Sequence, residues 1–208
     1  MQFIQKGRQF YIGKINTSDI EIRDLFKAWI AISIAFAMVL RYSIELSFYQ
    51  VFIIASITVG TGFLLHELGH KFVAQRYGCF AEFRSFDQML LLAIIMSFFG
   101  FVFAAPGAVM IHGPVGVRRN GKISIAGPLS NIILALIFLA LLFLSPTGLL
   151  QLIASYGYLI NSWLALFNMI PFWNFDGKKV LAWNKFVYFT TVIISFALIL
   201  ARNFFITS

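Results

Sequence analysis

The sequence predicts an all-α polytopic membrane protein with five to six apolar helical segments, and three observations carry that reading. Hydrophobic residues make up 60% of the 208-residue chain and charged residues 12%, a balance far from that of a soluble domain. Long runs carry no charge at all: Leu46 to His66, Gln88 to Val117 and Ile123 to Phe175. The basic residues behind the net charge of +8 fall in small groups between those runs. That spacing fits membrane orientation and excludes the continuous basic face of a nucleic-acid reader. Cys79 is the sole cysteine, which excludes an intrachain disulfide and a cysteine-based zinc cluster.

Residues 1–24 are polar and β-prone around Phe10 to Ile15, as expected of a strand or hairpin at a membrane surface. The remainder, 25–208, reads as a single membrane unit. No small-residue cleavage site follows a short apolar core, so the first helix is expected to stay as an anchor. Leu25 to Ser43 is a first span, with Lys27 and Arg41 extending toward opposite headgroup layers. The second starts at Leu46 and continues to about Arg76, with Gly78 as its stop. Within it, Gly60 and Gly62 leave room for another helix to approach. Gln88 to Val117 is too long for one crossing of about 20 residues and too short for two. Ile123 to Phe175 gives two spans joined at Ser145-Pro146-Thr147-Gly148, and Phe186 to Ala201 a last short one between Lys185 and Arg202.

The chemistry concentrates in His66-Glu67-Leu68-Gly69-His70. On a helix, His66 and His70 lie one turn apart on one face, so both imidazoles can reach one metal ion with Glu67 beside them. Two imidazoles suit Zn²⁺, and a catalytic site needs a third protein ligand and an open position. Asp176 is the strong candidate, at the end of another apolar run. Asp19, Glu21, Asp24, Glu45, Glu82 and Asp87 are expected in polar flanks or connections. A carboxylate buried in a membrane segment demands a partner, and a shared metal supplies one.

The pair His66-Glu67-xx-His70 and Asn168-xx-Pro171-xxxx-Asp176-Gly177 resembles the signature of the site-2 proteases, intramembrane zinc metalloproteases. Ala126-Gly127-Pro128-Leu129-Ser130-Asn131 resembles the start of the helix between the two motifs in that family. The resemblance covers about Val51 to Val180, within a catalytic core of about 46–180. It implies one zinc ion on His66, His70 and Asp176, Glu67 as general base, and Asn168 as a group that hydrogen-bonds the substrate backbone or the oxyanion. It also implies a β-hairpin-like element near the active site, for which Ala108 to Ile111 and Lys122 to Ile125 are the expected strands around a turn at Arg118 to Gly121. The substrate implied is a transmembrane protein whose helix unwinds locally and pairs with an edge strand near Met110. Lys178 stands where the family often has a second glycine. For Asn131 and Asn161, hydrogen bonding between helices is the plainer reading, and for His112 a structural role.

Three ligands can share one ion only if both motifs lie at the same membrane face, so Gln88 to Pro106 is expected to make no net crossing. With the resulting five crossings and an N-terminus inside, every basic residue except Arg41 and Arg202 falls on the inner side. With six, the basic residues divide almost evenly. The bias selects a multi-pass cell-membrane protein with its active site toward the cytoplasm. An inactive zinc-binding chaperone or regulator is the alternative, which the intact Glu67 disfavours. A transporter lacks support from internal repeats or charged relays.

Overall fold

A computed structural model describes residues 7–13, 15–42, 45–102, 106–144 and 147–205. Lys6, Lys14, Ser145 and Pro146, which enter the charge and turn expectations, lie outside them.

Strands β1 (Gln9–Ile12) and β2 (Ile15–Ser18) form an antiparallel hairpin that leads into α1 (Asp19–Leu40). Ser18 caps α1 by accepting the Glu21 N–H. Helix α2 (Phe48–Ala55) opens with a capping box between Ser47 and Gln50, passes through a π turn (Ser56–Gly60), and continues as α3 (Thr61–Arg76). The Ser56 carbonyl accepts the Thr61 N–H across the π turn and also the indole N–H of Trp29 on α1, at 3.1 Å. Gly60 lies against Ser33 and Trp29, and Gly62 against Asn161, so the expected close helix approaches are present on both sides. Gly78, at φ +75°, takes the left-handed conformation that ends α3.

Phe48–Arg76, α5 (Val117–Leu144), α6 (Gly148–Asn168) and Lys185–Arg202 of α8 (Lys185–Phe205) are long and apolar enough to cross a membrane. At about 1.5 Å per residue, the 28 residues of α5 exceed a hydrocarbon core of about 30 Å. Helices α5 and α6 pack antiparallel around Ile54, Leu134, Ala135, Phe138, Ile153 and Tyr158.

The hairpin near the site is built differently from the expectation. Strand β4 (Gly107–His112) pairs with β3 (Phe80–Ser85), not with Lys122 to Ile125, and Arg118 to Ile125 form the first turns of α5. The register sets Phe83 opposite Val109 and Ser85 opposite Gly107. One further step brings Phe86 N–H onto the Pro106 carbonyl at 3.0 Å. The segment that contains α4 (Asp87–Ser97) therefore starts and ends at neighbouring points of the sheet, as the expectation of no net crossing requires. At 11 residues, α4 is also too short to span the core.

Candidate metal centre

His66 and His70 lie on the buried face of α3, at 6% and 7% exposure. The His66 Nδ1 lies 2.7 Å from Asn131 Oδ1, and the His70 Nδ1 lies 2.8 Å from the Ile123 carbonyl. A carbonyl only accepts, so His70 carries its proton on Nδ1. The amide of Asn131 is oriented by its own donations, Nδ2 to the Gly62 carbonyl at 3.1 Å and to Asn161 Oδ1 at 3.0 Å, so His66 is protonated on Nδ1 as well. Asn161 in turn donates to Gly157 of its own helix at 2.9 Å. Both Nε2 lone pairs are left facing inward, 3.1 Å apart.

Asp176 completes the group. Helix α6 stops at Asn168, the chain turns through Pro171 and Trp173, which adopts φ +53°, and α7 (Asp176–Trp183) begins with the carboxylate. A Cβ on Gly177 would meet the Met169 carbonyl oxygen at 2.1 Å, so only glycine lets α7 start this close to the end of α6. Asp176 Oδ2 lies 3.3 Å from His66 Nε2 and 3.0 Å from His70 Nε2.

Three electron-pair donors thus converge with their protons committed elsewhere, an arrangement that calls for a cation between them. Tetrahedral zinc bonds of about 2.0–2.2 Å place neighbouring ligand atoms about 3.3–3.5 Å apart. The observed edges of 3.0–3.3 Å come within a few tenths of an ångström of that spacing, so these three side chains would hold such an ion. Gly127 of α5 leaves the space, because a Cβ there would lie 2.5 Å from His70 Nε2 and 2.6 Å from His66 Nε2.

The chain is 44% identical over 174 residues to MJ0611 of Methanocaldococcus jannaschii, a protein assigned as a zinc metalloprotease, with 82% of this chain and 88% of that one covered. The chain belongs to this family of zinc metalloproteases. It is also 29% identical over 123 residues to zinc metalloprotease MJ0392 of the same organism, covering 57% of this chain and 30% of that protein. YwhC of Bacillus subtilis, likewise assigned as a zinc metalloprotease, matches at 29% over 146 residues, covering 60% and 66%. No family model matches the chain, and no solved structure matches it. Zinc, the metal in those relatives' names, suits this donor set of two imidazoles and one carboxylate.

Glu67 is half-buried beside the ligands, with the Val109 backbone of β4 close to its carboxylate. Asn168 does not turn toward the centre, since its amide donates to Leu164 of its own helix at 2.9 Å. His112 is exposed at the end of β4, packed against the Phe80 ring. Asn131 and Asn161 do bridge helices, as expected, and Asn131 also orients a ligand.

Three of the acids expected in polar flanks or connections are buried there. Glu21, Asp24 and Glu82 are 0%, 9% and 2% exposed. Each has a partner distant in sequence: Lys71 for Glu21 at 2.5 Å, Ser85 N–H for Asp24 at 3.3 Å, and Gln9 for Glu82 at 2.8 Å. Lys71, uncharged neighbours on both sides and 2% exposed, was the available signal. A lysine one residue beyond a metal ligand on a buried face needs an anion.

Proposed function

We propose that this metalloprotease is of the site-2 type and hydrolyses a peptide bond in or near a transmembrane helix of a membrane-protein substrate. The observation that carries the reading is the junction of the three metal ligands, Glu67 and the outer edge of β4 at the ends of apolar helices.

In this reading His66, His70 and Asp176 hold the zinc. When bound there, zinc polarises the scissile carbonyl and acidifies a water. Glu67 takes the proton of the attacking water and passes it to the leaving amine as the C–N bond breaks. Asn168 hydrogen-bonds the substrate backbone or the oxyanion, for which its amide must leave the Leu164 carbonyl.

A helical substrate hides its carbonyls in its own hydrogen bonds and has to be extended before cleavage. The β3–β4 ladder supports a place for that. Phe83 N–H turns away from β4, and its opposite number Val109 turns away from β3, so by alternation Gly107, Val109 and Ile111 present their backbone groups outward on β4. An extended segment added there lies next to Glu67. The lipid bilayer is the other partner, and nothing in the charge pattern favours nucleic acid. The basic bias supports a centre toward the cytoplasmic side of a multi-pass cell-membrane protein.

The test is a membrane-tethered reporter incubated with wild type and with Glu67→Gln. Cleavage by wild type only, with equal zinc in both proteins, is the expected result. Equal inactivity of both over a panel of reporters contradicts the proposal and favours a zinc-binding module.

A further inference from the structure

The two edges of the β3–β4 sheet are treated differently. On the outer edge of β3 every group with a described partner is engaged by a side chain. Phe83 N–H donates to Glu21 Oε1 at 2.9 Å and Ser85 N–H to Asp24 Oδ2 at 3.3 Å. The Ala81 carbonyl accepts from Gln75 at 3.0 Å, and the Phe83 carbonyl from Arg84 at 2.8 Å. Two buried carboxylates of α1 thus stand where another strand would lie. The same Glu21 carboxylate accepts Lys71 Nζ at 2.5 Å, from the residue after His70, and Thr17 Oγ1 at 2.7 Å. One oxygen grips the metal-bearing helix and the other grips the sheet.

We propose that Glu21 is a positioning residue: it fixes the β3–β4 sheet against α3 and, with Asp24, closes the β3 edge, so that an extended substrate segment can pair only with β4. The inference rests on the protease reading above. Its physical content is a link from Lys71 through Glu21 to the Phe83 N–H and across the ladder to Val109, whose backbone lies close to Glu67. Lys71 and Glu67 both belong to α3, so the sheet is held in register with the metal centre. Without the Phe83 acceptor the strand loses a charge-assisted bond and β3 gains an open N–H.

The ion pair itself is a poor probe, because removing one partner leaves a buried charge, whereas replacing both with apolar residues of similar volume is often tolerated. Two double variants therefore differ only in the acceptor: Glu21→Met with Lys71→Met, and Glu21→Gln with Lys71→Met. Both are expected to fold and bind zinc as wild type does. The Gln variant keeps an oxygen for the Phe83 N–H and is expected to retain cleavage of a tethered reporter. The Met variant is expected to show KM raised about tenfold, the equivalent of one hydrogen bond's worth of substrate binding, with kcat changed much less. Its Phe83 amide should also exchange with solvent at least about tenfold faster than in the Gln variant. Equal KM and equal Phe83 exchange in the two variants overturn the proposal. A reporter cut alike by wild type and Glu67→Gln overturns the protease reading instead, and the exchange measurement then decides the role of Glu21 alone.

Discussion

Asn131 is the residue whose replacement should most clearly separate metal affinity from folding. It is fully buried and makes three contacts: it accepts His66 Nδ1–H, and it donates to the Gly62 carbonyl and to Asn161 Oδ1. Asn131→Leu removes the acceptor that keeps the His66 proton on Nδ1, so Nε2 no longer presents its lone pair by default. Loss of such a partner to a ligating histidine costs about 10–100-fold in metal affinity, or about 1.4–2.8 kcal/mol. Asn161 Oδ1 also loses its donor, at about 1–3 kcal/mol of fold stability. Asn131→Asp inverts the pattern. A carboxylate accepts the Nδ1–H at least as well, so zinc affinity should hold, but it cannot donate to Gly62 or Asn161 and stability should fall by a similar amount. The assay is competition with a chelator of known zinc affinity in detergent, beside thermal unfolding of the metal-free protein. Zinc affinity unchanged in a folded Asn131→Leu protein would refute the argument that this hydrogen bond sets the His66 tautomer.

Other outcomes follow from close approaches and from topology. Gly127→Ala puts a methyl against both Nε2 atoms and should lower zinc content about tenfold or more in a protein that still folds, measured by metal analysis. Trp29→Phe leaves the Ser56 carbonyl of the π turn without its indole donor and should lower stability by about 1 kcal/mol, read from a denaturation midpoint. Single cysteines at Ser85 and at Gly113, in a Cys79→Ser background, should be labelled by an impermeant reagent from the same membrane side. Labelling from opposite sides would mean that the segment between β3 and β4 crosses after all.

Much of the centre could be read from the sequence because its rules are local. The spacing of His66 and His70, the stop at Gly78, and the scarcity of acids near apolar runs each follow from a few neighbouring residues. Three ligands on one ion restrict how often the chain can cross, which extends this to the segment from Gln88 to Pro106, and the Phe86–Pro106 hydrogen bond agrees with it. The strand pairing is not legible in the sequence. Ala108 to Ile111 reads as a strand, but its partner is set by contacts with Phe80 to Ser85 across the whole α4 excursion. Ile123 to Ile125, β-branched and equally strand-like, goes into α5, where Ile123 supplies the carbonyl for His70. The burial of Glu21 was hidden for the same reason, because its partners Lys71 and Phe83 are 50 and 62 residues away. Side chains that orient a ligand, such as Asn131, carry no spacing signal of their own.

The account rests on His66, His70 and Asp176 meeting at one ion. Anomalous diffraction at the zinc edge from crystals of zinc-loaded protein tests this most directly. It should give a single strong peak about 2.0–2.2 Å from both Nε2 atoms and from a carboxylate oxygen of Asp176. A peak bound by the two histidines with Asp176 turned away, or a peak elsewhere in the molecule, would contradict it.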